Sequence, residues 1–237
     1  MGFFDFLTQI PPYSEDEAST IRLNKRHRLI VDLFRDDLRG ARVLDLAAHD
    51  GRWAYALAEA GAAEVIAIEA RQDLIDRFEL FPHATFKSRI NLRQGDIFEV
   101  LAEFVDAGEQ FDIVAVFGIF YHMMDHFRLL RLIRQIGAWK VLLDSDFAMR
   151  KAPVIELVFE QTSRDLNAAP QIPGQERAII GIPSPRALEN MALALRFDVS
   201  WSDAEAAFGD DRRGIRDYFR AEGKRRAFCV LEQTEGR

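Results

Sequence analysis

The chain has a single cysteine, Cys229, in 237 residues. An internal disulfide is therefore excluded, which fits a reducing cytoplasm. No apolar run approaches the roughly 18 residues of a membrane-spanning helix, so no membrane partner is expected. The opening segment, MGFFDFLTQIPPY, lacks a charged region ahead of its apolar part and does not read as a secretory leader. Phe6 stands where a myristoylation signal wants Ser or Thr. Positive charge is short as well: 31 Lys and Arg face 38 Asp and Glu, a net charge of −7. That removes the global basic field by which nucleic acid is gathered. Glycine is missing where a GxGxxG pattern would need it, because Gly51 is the lone glycine between Ala47 and Arg52. A pyrophosphate requires bare backbone at a helix N-terminus, and Asp50 would set a negative charge against it. This argues against a nicotinamide or flavin dinucleotide. What remains is 49% apolar and 29% charged residues, an ordinary globular mix that suits one α/β domain with modest additions.

Residues 42–71, RVLDLAAHDGRWAYALAEAGAAEVIAIEAR, carry the most information. Arg42 to Leu46 is a short apolar run suited to a buried parallel strand. Ala47 to Gly51 is small and turn-prone. Trp53 to Ala60 is rich in Ala and Leu, which favours helix, and Gly61 ends it. Glu64 to Ile68 reads as a second strand with Glu69 at its tip. An acid at the tip of the second strand of a βαβ unit can accept both hydroxyls of a ribose. The unit therefore predicts an adenosine-containing cofactor with no phosphate at the first turn. S-adenosylmethionine, a sulfonium with a zwitterionic amino acid end, meets that condition, and nearby carboxylates favour its positive groups.

The chain resembles the class I S-adenosylmethionine-dependent methyltransferases. The resemblance rests on VLDLAAHDG at 43–51, IEAR with Glu69, QGDIF at 94–98 and FDIVAVFGIFYHMMD at 111–125, in that order. It implies a doubly wound, seven-stranded, mostly parallel sheet. It also implies cofactor contacts from Asp45, Ala47, His49, Asp50 and Gly51 at the amino acid end, and from Glu69, Ala70 and Arg71 at the ribose. Asp96 and Ile97 would meet the adenine, and Phe117 and Gly118 would follow the fourth strand. One departure is AAH where the family usually has GCG or GAG. Ala47 and Ala48 are small enough to keep the turn, and His49 is placed to crowd or touch the cofactor. Two plainer readings stand beside these. Asp45 and Asp50 can serve the turn and the helix N-cap, and Asp96 can cap the helix that begins at Ile97.

Along the chain, Ser14 to Glu17 forms a Ser-x-x-Glu capping box, predicting a helix to about Leu38 with Ile21, Arg28, Leu29, Asp32 and Leu33 on or beside one face. Residues 1–38 then form a helical cap on a methyltransferase domain at 39–237. Phe3, Phe4, Phe6 and Leu7 are expected against the body of the protein or against a second subunit, as in a homodimer. Helices are predicted at Asp73–Phe81, Phe98–Val105 and Phe127–Ile136, with strands at Asn91–Gln94, Asp112–Phe117 and Val141–Asp144. Residues 147–183 break the alternation and read as an insertion over the active-site edge, with arms at Val154–Thr162 and Ala178–Ile182. A last helix at Ala187–Leu195 precedes an antiparallel pair, Phe197–Trp201 and Ala227–Glu232. Between these strands, residues 210–226 hold seven basic and four acidic side chains. Such a mixed run is by default a solvated surface, with an acidic ligand or RNA as the other occupants.

His122, just past the fourth strand, is the candidate general base. An alcohol must lose a proton to accept a methyl group, and a neutral imidazole can take it. The plainer role is to shape the pocket, and His126 is the alternative base. Asp144 and Asp146 share a strand face and, with Asp125, can in principle hold Mg²⁺, although capping and solvation is the reading we prefer. The expected activity is methyl transfer to a small-molecule acceptor at a hydroxyl oxygen of a sugar, phenol or enol. The alternatives are a tRNA or protein methyltransferase and a non-catalytic protein that binds the cofactor.

Overall fold

The computed structural model describes residues 2–234; Met1 and residues 235–237, the end of the expected domain, lie outside them. Apolar strands alternate with amphipathic helices, so the strands pair in parallel and the helices cover both faces. The strands are β1 (Arg42–Leu46), β2 (Glu64–Glu69), β3 (Ile90–Gln94), β4 (Ile113–Phe117), β5 (Lys140–Ala148), β6 (Ile155–Gln161), β7 (Arg177–Pro183), β8 (Phe197–Trp201) and β9 (Lys224–Gln233). Seven form one sheet in the order β3-β2-β1-β4-β5-β9-β8. β1 pairs in parallel with β2 and β4, and β9 runs antiparallel to both β5 and β8. The strand order reverses beside β1, so the crevice outside the carboxyl ends of β1 and β4 is the natural ligand site.

The helices are α1 (Glu17–Ile30), α2 (Arg35–Leu38), α3 (Arg52–Glu59), α4 (Gln72–Asp76), α5 (Ile97–Ala107), α6 (His126–Gln135), α7 (Pro185–Ala194) and α8 (Ala204–Phe208). Strand residues of one parity, such as Val43, Val65 and Ala115, pack under the N-terminal segment and α3. Their neighbours Leu44, Ile66 and Val114 pack with residues of α5, α6 and α7. The period of two in each strand thus feeds two separate cores.

The long N-terminal helix is shorter than its capping box predicts. Asp16, not Ser14, is the N-cap, and its side chain accepts from Ala18 N. α1 stops at Ile30, and a 3-10 turn at Asp32–Phe34 separates it from α2. The buried residues of α1 are Thr20, Leu23, Arg26, His27, Leu29 and Ile30, so Leu29 is buried as expected, while Arg28 and Leu33 are exposed. The second crossover helix likewise ends at Asp76 and continues as a 3-10 turn to Leu80. β5 runs four residues beyond its expected end because β9 pairs with it throughout, from Lys140 opposite Glu232 to Ala148 opposite Lys224.

The phenylalanines of the first turn pack on the body of the protein. Phe4 is fully buried with its ring edge-on to Trp53 at 5.1 Å, and Phe3 stacks on His27 at 4.6 Å. Phe6 meets Phe81 at 5.2 Å. Phe4→Ala is expected to cost about 3–5 kcal/mol, read as a lower urea midpoint. A loss below about 1 kcal/mol would show that this segment is not part of the core.

Candidate active site

The turn after β1 is the centre of the site. Its backbone is left-handed at Ala47 (φ 57°), His49 (φ 56°) and Gly51 (φ 77°). Two of the three are not glycine, which is uncommon and costs strain. Glu69 counters this from the tip of β2: its Oε2 accepts from His49 N at 2.8 Å and its Oε1 from Arg71 N at 3.1 Å. Ala48 N also donates to Ile68 O at 2.8 Å. Glu69 is buried and held inward. Gly51 permits the close approach of Phe78, whose Cδ2 would lie 2.7 Å from an added Cβ.

Two aspartates, Asp45 on β1 and Asp50 in this turn, are shifted in opposite directions. Asp50 is fully buried, and burial alone would raise its pKa. Arg52, which donates from Nε at 2.7 Å, together with His49 and the Tyr13 hydroxyl, outweighs burial and holds it well below the usual carboxylate range. Asp45 is equally buried without such a partner, and desolvation pushes it up to about 8. Its Oδ2 has no hydrogen-bond partner among the described residues, nor have Nδ1 and Nε2 of His49. Unpaired buried polar atoms of both kinds call for a ligand or water. The amino acid end of S-adenosylmethionine, with an ammonium and a carboxylate, fits this donor and acceptor set. Asp50 is not the side-chain N-cap of α3; Gly51 occupies that position without a side-chain bond.

The other expected residues lie along the same edge. Asp96 caps α5, with Oδ1 accepting from Phe98 N at 2.8 Å and Glu99 N at 3.1 Å. It is exposed, so its second oxygen remains available to an adenine beside Ile97. Ala70 is exposed, and Arg71 turns to the insertion, donating to Asp165 O at 2.6 Å. Phe117 ends β4 and packs edge-on to Trp53 at 5.5 Å, and Gly118 follows it with φ 91°.

His122 lies in the short turn after β4, and its Nδ1 bonds Glu160 Oε1 on β6. That same oxygen accepts from Ala168 N at 2.8 Å. His122 Nε2 has no protein partner among the described residues. Glu160 escaped the sequence reading because it comes from a hairpin 38 residues away. Its pKa is raised by burial but held below the usual range by His122. His126, the alternative base, is instead a strut: it is buried and its Nε2 bonds Gly181 O at 3.0 Å.

Asp144 and Asp146 do not cap a helix or face solvent as preferred from the sequence, because both are buried within β5, and they are not arranged as the alternative Mg²⁺ site either. Asp144 accepts from Arg26 Nε at 2.9 Å, Arg226 Nε at 2.8 Å and the Tyr218 hydroxyl at 2.6 Å. Asp146 pairs with Lys224 at 2.8 Å. Cationic side chains fill the places a hard cation would take. Among the described residues no group of three or more His, Cys, Asp or Glu side chains could hold a metal ion.

Asp45 gives the folded chain a pH signature. Between its ordinary value of 3.8 and about 8 the folded state keeps a proton that the unfolded chain has released. Its contribution is therefore full at low pH and is lost as pH rises towards 8. Asp45→Asn is expected to flatten the fall in melting temperature between about pH 5 and pH 8. An unchanged slope in that variant would show that Asp45 is ionised throughout.

Residues 43–139 match the family model described as a methyltransferase domain. A tRNA U34 carboxymethyltransferase from Campylobacter hominis is 27% identical over 115 residues, 47% of this chain. The matched part spans only 38% of that relative's length. Among solved structures, the N-terminal domain of EvdMO1, crystallised in the presence of S-adenosylhomocysteine and D-fucose, aligns with a TM-score of 0.66 and 15% identity. That alignment covers 88% of this chain and 83% of that one. The magnesium protoporphyrin IX methyltransferase of Synechocystis PCC 6803, with S-adenosylmethionine bound, aligns at 0.57 and 10% identity over 92% of this chain and 83% of its own. Residues 43–139 thus match the methyltransferase domain model, and the chain has the Rossmann-like fold of these solved methyltransferase structures.

Proposed function

We propose that this chain is an S-adenosylmethionine-dependent methyltransferase that acts on a small molecule and methylates a hydroxyl oxygen of a sugar, phenol or enol. The observation that carries the reading is the His122–Glu160 pair. A carboxylate on Nδ1 selects the tautomer that keeps its proton there, which leaves the Nε2 lone pair free. An imidazole so held can take the proton of an attacking hydroxyl, and Glu160 steadies the imidazolium that results. The cofactor supplies a methyl group on a sulfonium, a carbon open to in-line attack. Glu69 is assigned to the ribose, Asp96 and Ile97 to the adenine, and the Asp45–Gly51 turn to the amino acid end. Ala70, Arg71, Phe117 and Gly118 border these groups.

The insertion supports a small acceptor. β6 and β7 form an antiparallel hairpin that meets the β4 exit through His122 and through Gly181 N, which donates to Met123 O at 2.9 Å. Its loop reaches the β2 exit, where Arg71 and Arg77 bond Asp165. A cover fixed on both sides favours a small molecule over a duplex as the acceptor. The presence of D-fucose with the EvdMO1 domain favours a sugar among the acceptors. A tRNA acceptor draws less support from the basic segment than its seven basic residues suggest, since four of them, Arg212, Arg213, Lys224 and Arg226, are each paired with a carboxylate.

Hydroxylated sugars and phenols can be screened for release of S-adenosylhomocysteine. With the acceptor in hand, His122→Asn is expected to lower kcat by about 10²–10⁴, and Glu160→Gln by about tenfold or more. Cofactor affinity by calorimetry should stay within about twofold in both variants. Retained kcat in His122→Asn would remove the general base.

A further inference from the structure

Beyond the base and the cofactor contacts lies a cluster of charge that these roles leave unused. Arg26 of α1 and Arg226 of β9 are both buried and share one carboxylate, Asp144, through their Nε atoms. Arg26 Nη2 also stands 2.9 Å from Asp144 Oδ2, but out of hydrogen-bond alignment, and it counts among the buried atoms with no partner. Arg226 Nη1 is 3.6 Å from Asp146 Oδ1, too far for a hydrogen bond. Arg226 Nη2 lies over Gly118, where an added Cβ would stand 3.1 Å from it. Neither Nη atom of Arg226 has a hydrogen-bond acceptor among the described residues.

Net charge does not mark the cluster: Arg26, Arg226 and Lys224 face Asp144, Asp146 and Glu160, whose hydrogen-bond partner His122 is neutral in the general-base reading, and Arg22 and Asp217 pair with each other at 2.6 Å. What is left unmatched is hydrogen-bonding capacity, at Arg26 Nη2 and at both Nη atoms of Arg226. Tyr218 stays a neutral donor, because burial and Asp144 raise its pKa. Buried guanidinium groups are normally fully paired, and their planar forks match carboxylate and phosphate oxygens. Asp144 engages the Nε edge of Arg226, which turns its Nη edge towards Gly118 and the end of β4.

We propose that Arg26 and Arg226 bind an anionic group, a carboxylate or a phosphate monoester, on the acceptor. The inference rests on the methyltransferase reading above and narrows its acceptor to an acidic hydroxylated molecule. Asp144 is then a positioning residue that aims both guanidinium groups, and Gly118 leaves the approach to Arg226 open.

Calorimetry on the whole chain tests this with three probes: inorganic phosphate, 4-hydroxybenzoate and its uncharged methyl ester. Each is titrated into protein with and without saturating S-adenosylhomocysteine. At least one anion is expected to bind once per chain at millimolar concentration or below, and the ester about tenfold more weakly or not at all. Preference for phosphate or for hydroxybenzoate tells a phosphate monoester from a carboxylate. Arg226→Met is expected to weaken the anion about tenfold or more, and Arg226→Lys, which keeps the charge and loses the fork, should fall between. The wild-type comparison of acid and ester stands alone if Arg226→Met fails to fold. The proposal is overturned if neither anion binds at about 10 mM, if ester and acid bind alike, or if both folded variants keep wild-type affinity. It is also overturned if S-adenosylhomocysteine displaces the anion, because the guanidinium groups then serve the cofactor's own carboxylate. Absence of S-adenosylhomocysteine binding would count against the methyltransferase reading instead, and the cofactor-free titration would still judge the anion site.

Discussion

The site depends on the grip of Glu69 on the turn after β1. A parallel strand that must pass into a helix within five residues needs left-handed backbone, and glycine is the residue that adopts it freely. This chain puts Ala47 and His49 at two of those positions. Each non-glycine residue held there costs on the order of 1 kcal/mol. The bond from His49 N to Glu69 Oε2, and that from Ala48 N to Ile68 O, hold the strained turn against the neighbouring strand. Because β2 fixes the turn, it also fixes where Asp45, Asp50 and the first residues of α3 stand. A single carboxylate therefore shapes the crevice from its floor while facing the place where a ribose is expected.

In and beside that turn, identical side chains are shifted in opposite directions by what surrounds them. Asp50 has Arg52, His49 and Tyr13 within reach and stays charged in spite of burial. Asp45 has burial without a cation in contact, and desolvation pushes its pKa up to about 8. The contrast is the ordinary competition between desolvation and partner charge. Its consequence is local: the pocket floor offers one fixed negative charge, already matched, and one carboxyl whose proton can leave when a positive ligand group arrives. On the far side of β4 the balance is reversed, since Asp144 is shared by two guanidinium groups.

The strand–turn–helix–strand unit at 42–71 was legible because its signals are local: apolar runs of the right length, small residues at the reversal, and an acid at a strand tip. Element ends were less so. α1 ends at Ile30 although the sequence shows no proline or glycine there, because Phe34 and Leu38 turn back to pack on the sheet side of the chain. Asp16 wins the cap from Ser14 because the segment before it is wound as a 3-10 turn. The residues expected at the cofactor edge were named from the sequence, whereas Tyr13, Arg26, Glu160 and Arg226 were not given a role there. Each of these acts across a long separation: 37 residues from Tyr13 to Asp50 and 118 from Arg26 to Asp144. No periodicity or spacing records such a pairing, and only the closed sheet brings the partners together.

The two segments that complete the site approach the same edge from different directions. The N-terminal segment comes over the face that holds Asp45, Asp144 and Phe117, and it brings Tyr13 and Arg26. The β6–β7 hairpin comes over the carboxyl ends of the strands and brings Glu160. Arg226 arrives on β9, the antiparallel strand that closes the sheet beside β5. All four side chains lie outside residues 43–139, the portion that matches the methyltransferase domain. The shared portion builds a crevice for a cofactor, and strand order alone is enough to place it. Choice of acceptor is a matter of which charges and which base meet the open end of that crevice. In the reading proposed above the base, His122, lies within the matched portion, while its partner Glu160 and the guanidinium groups of Arg26 and Arg226 sit on the two covers and the closing strand, so the acceptor end would be assembled from both.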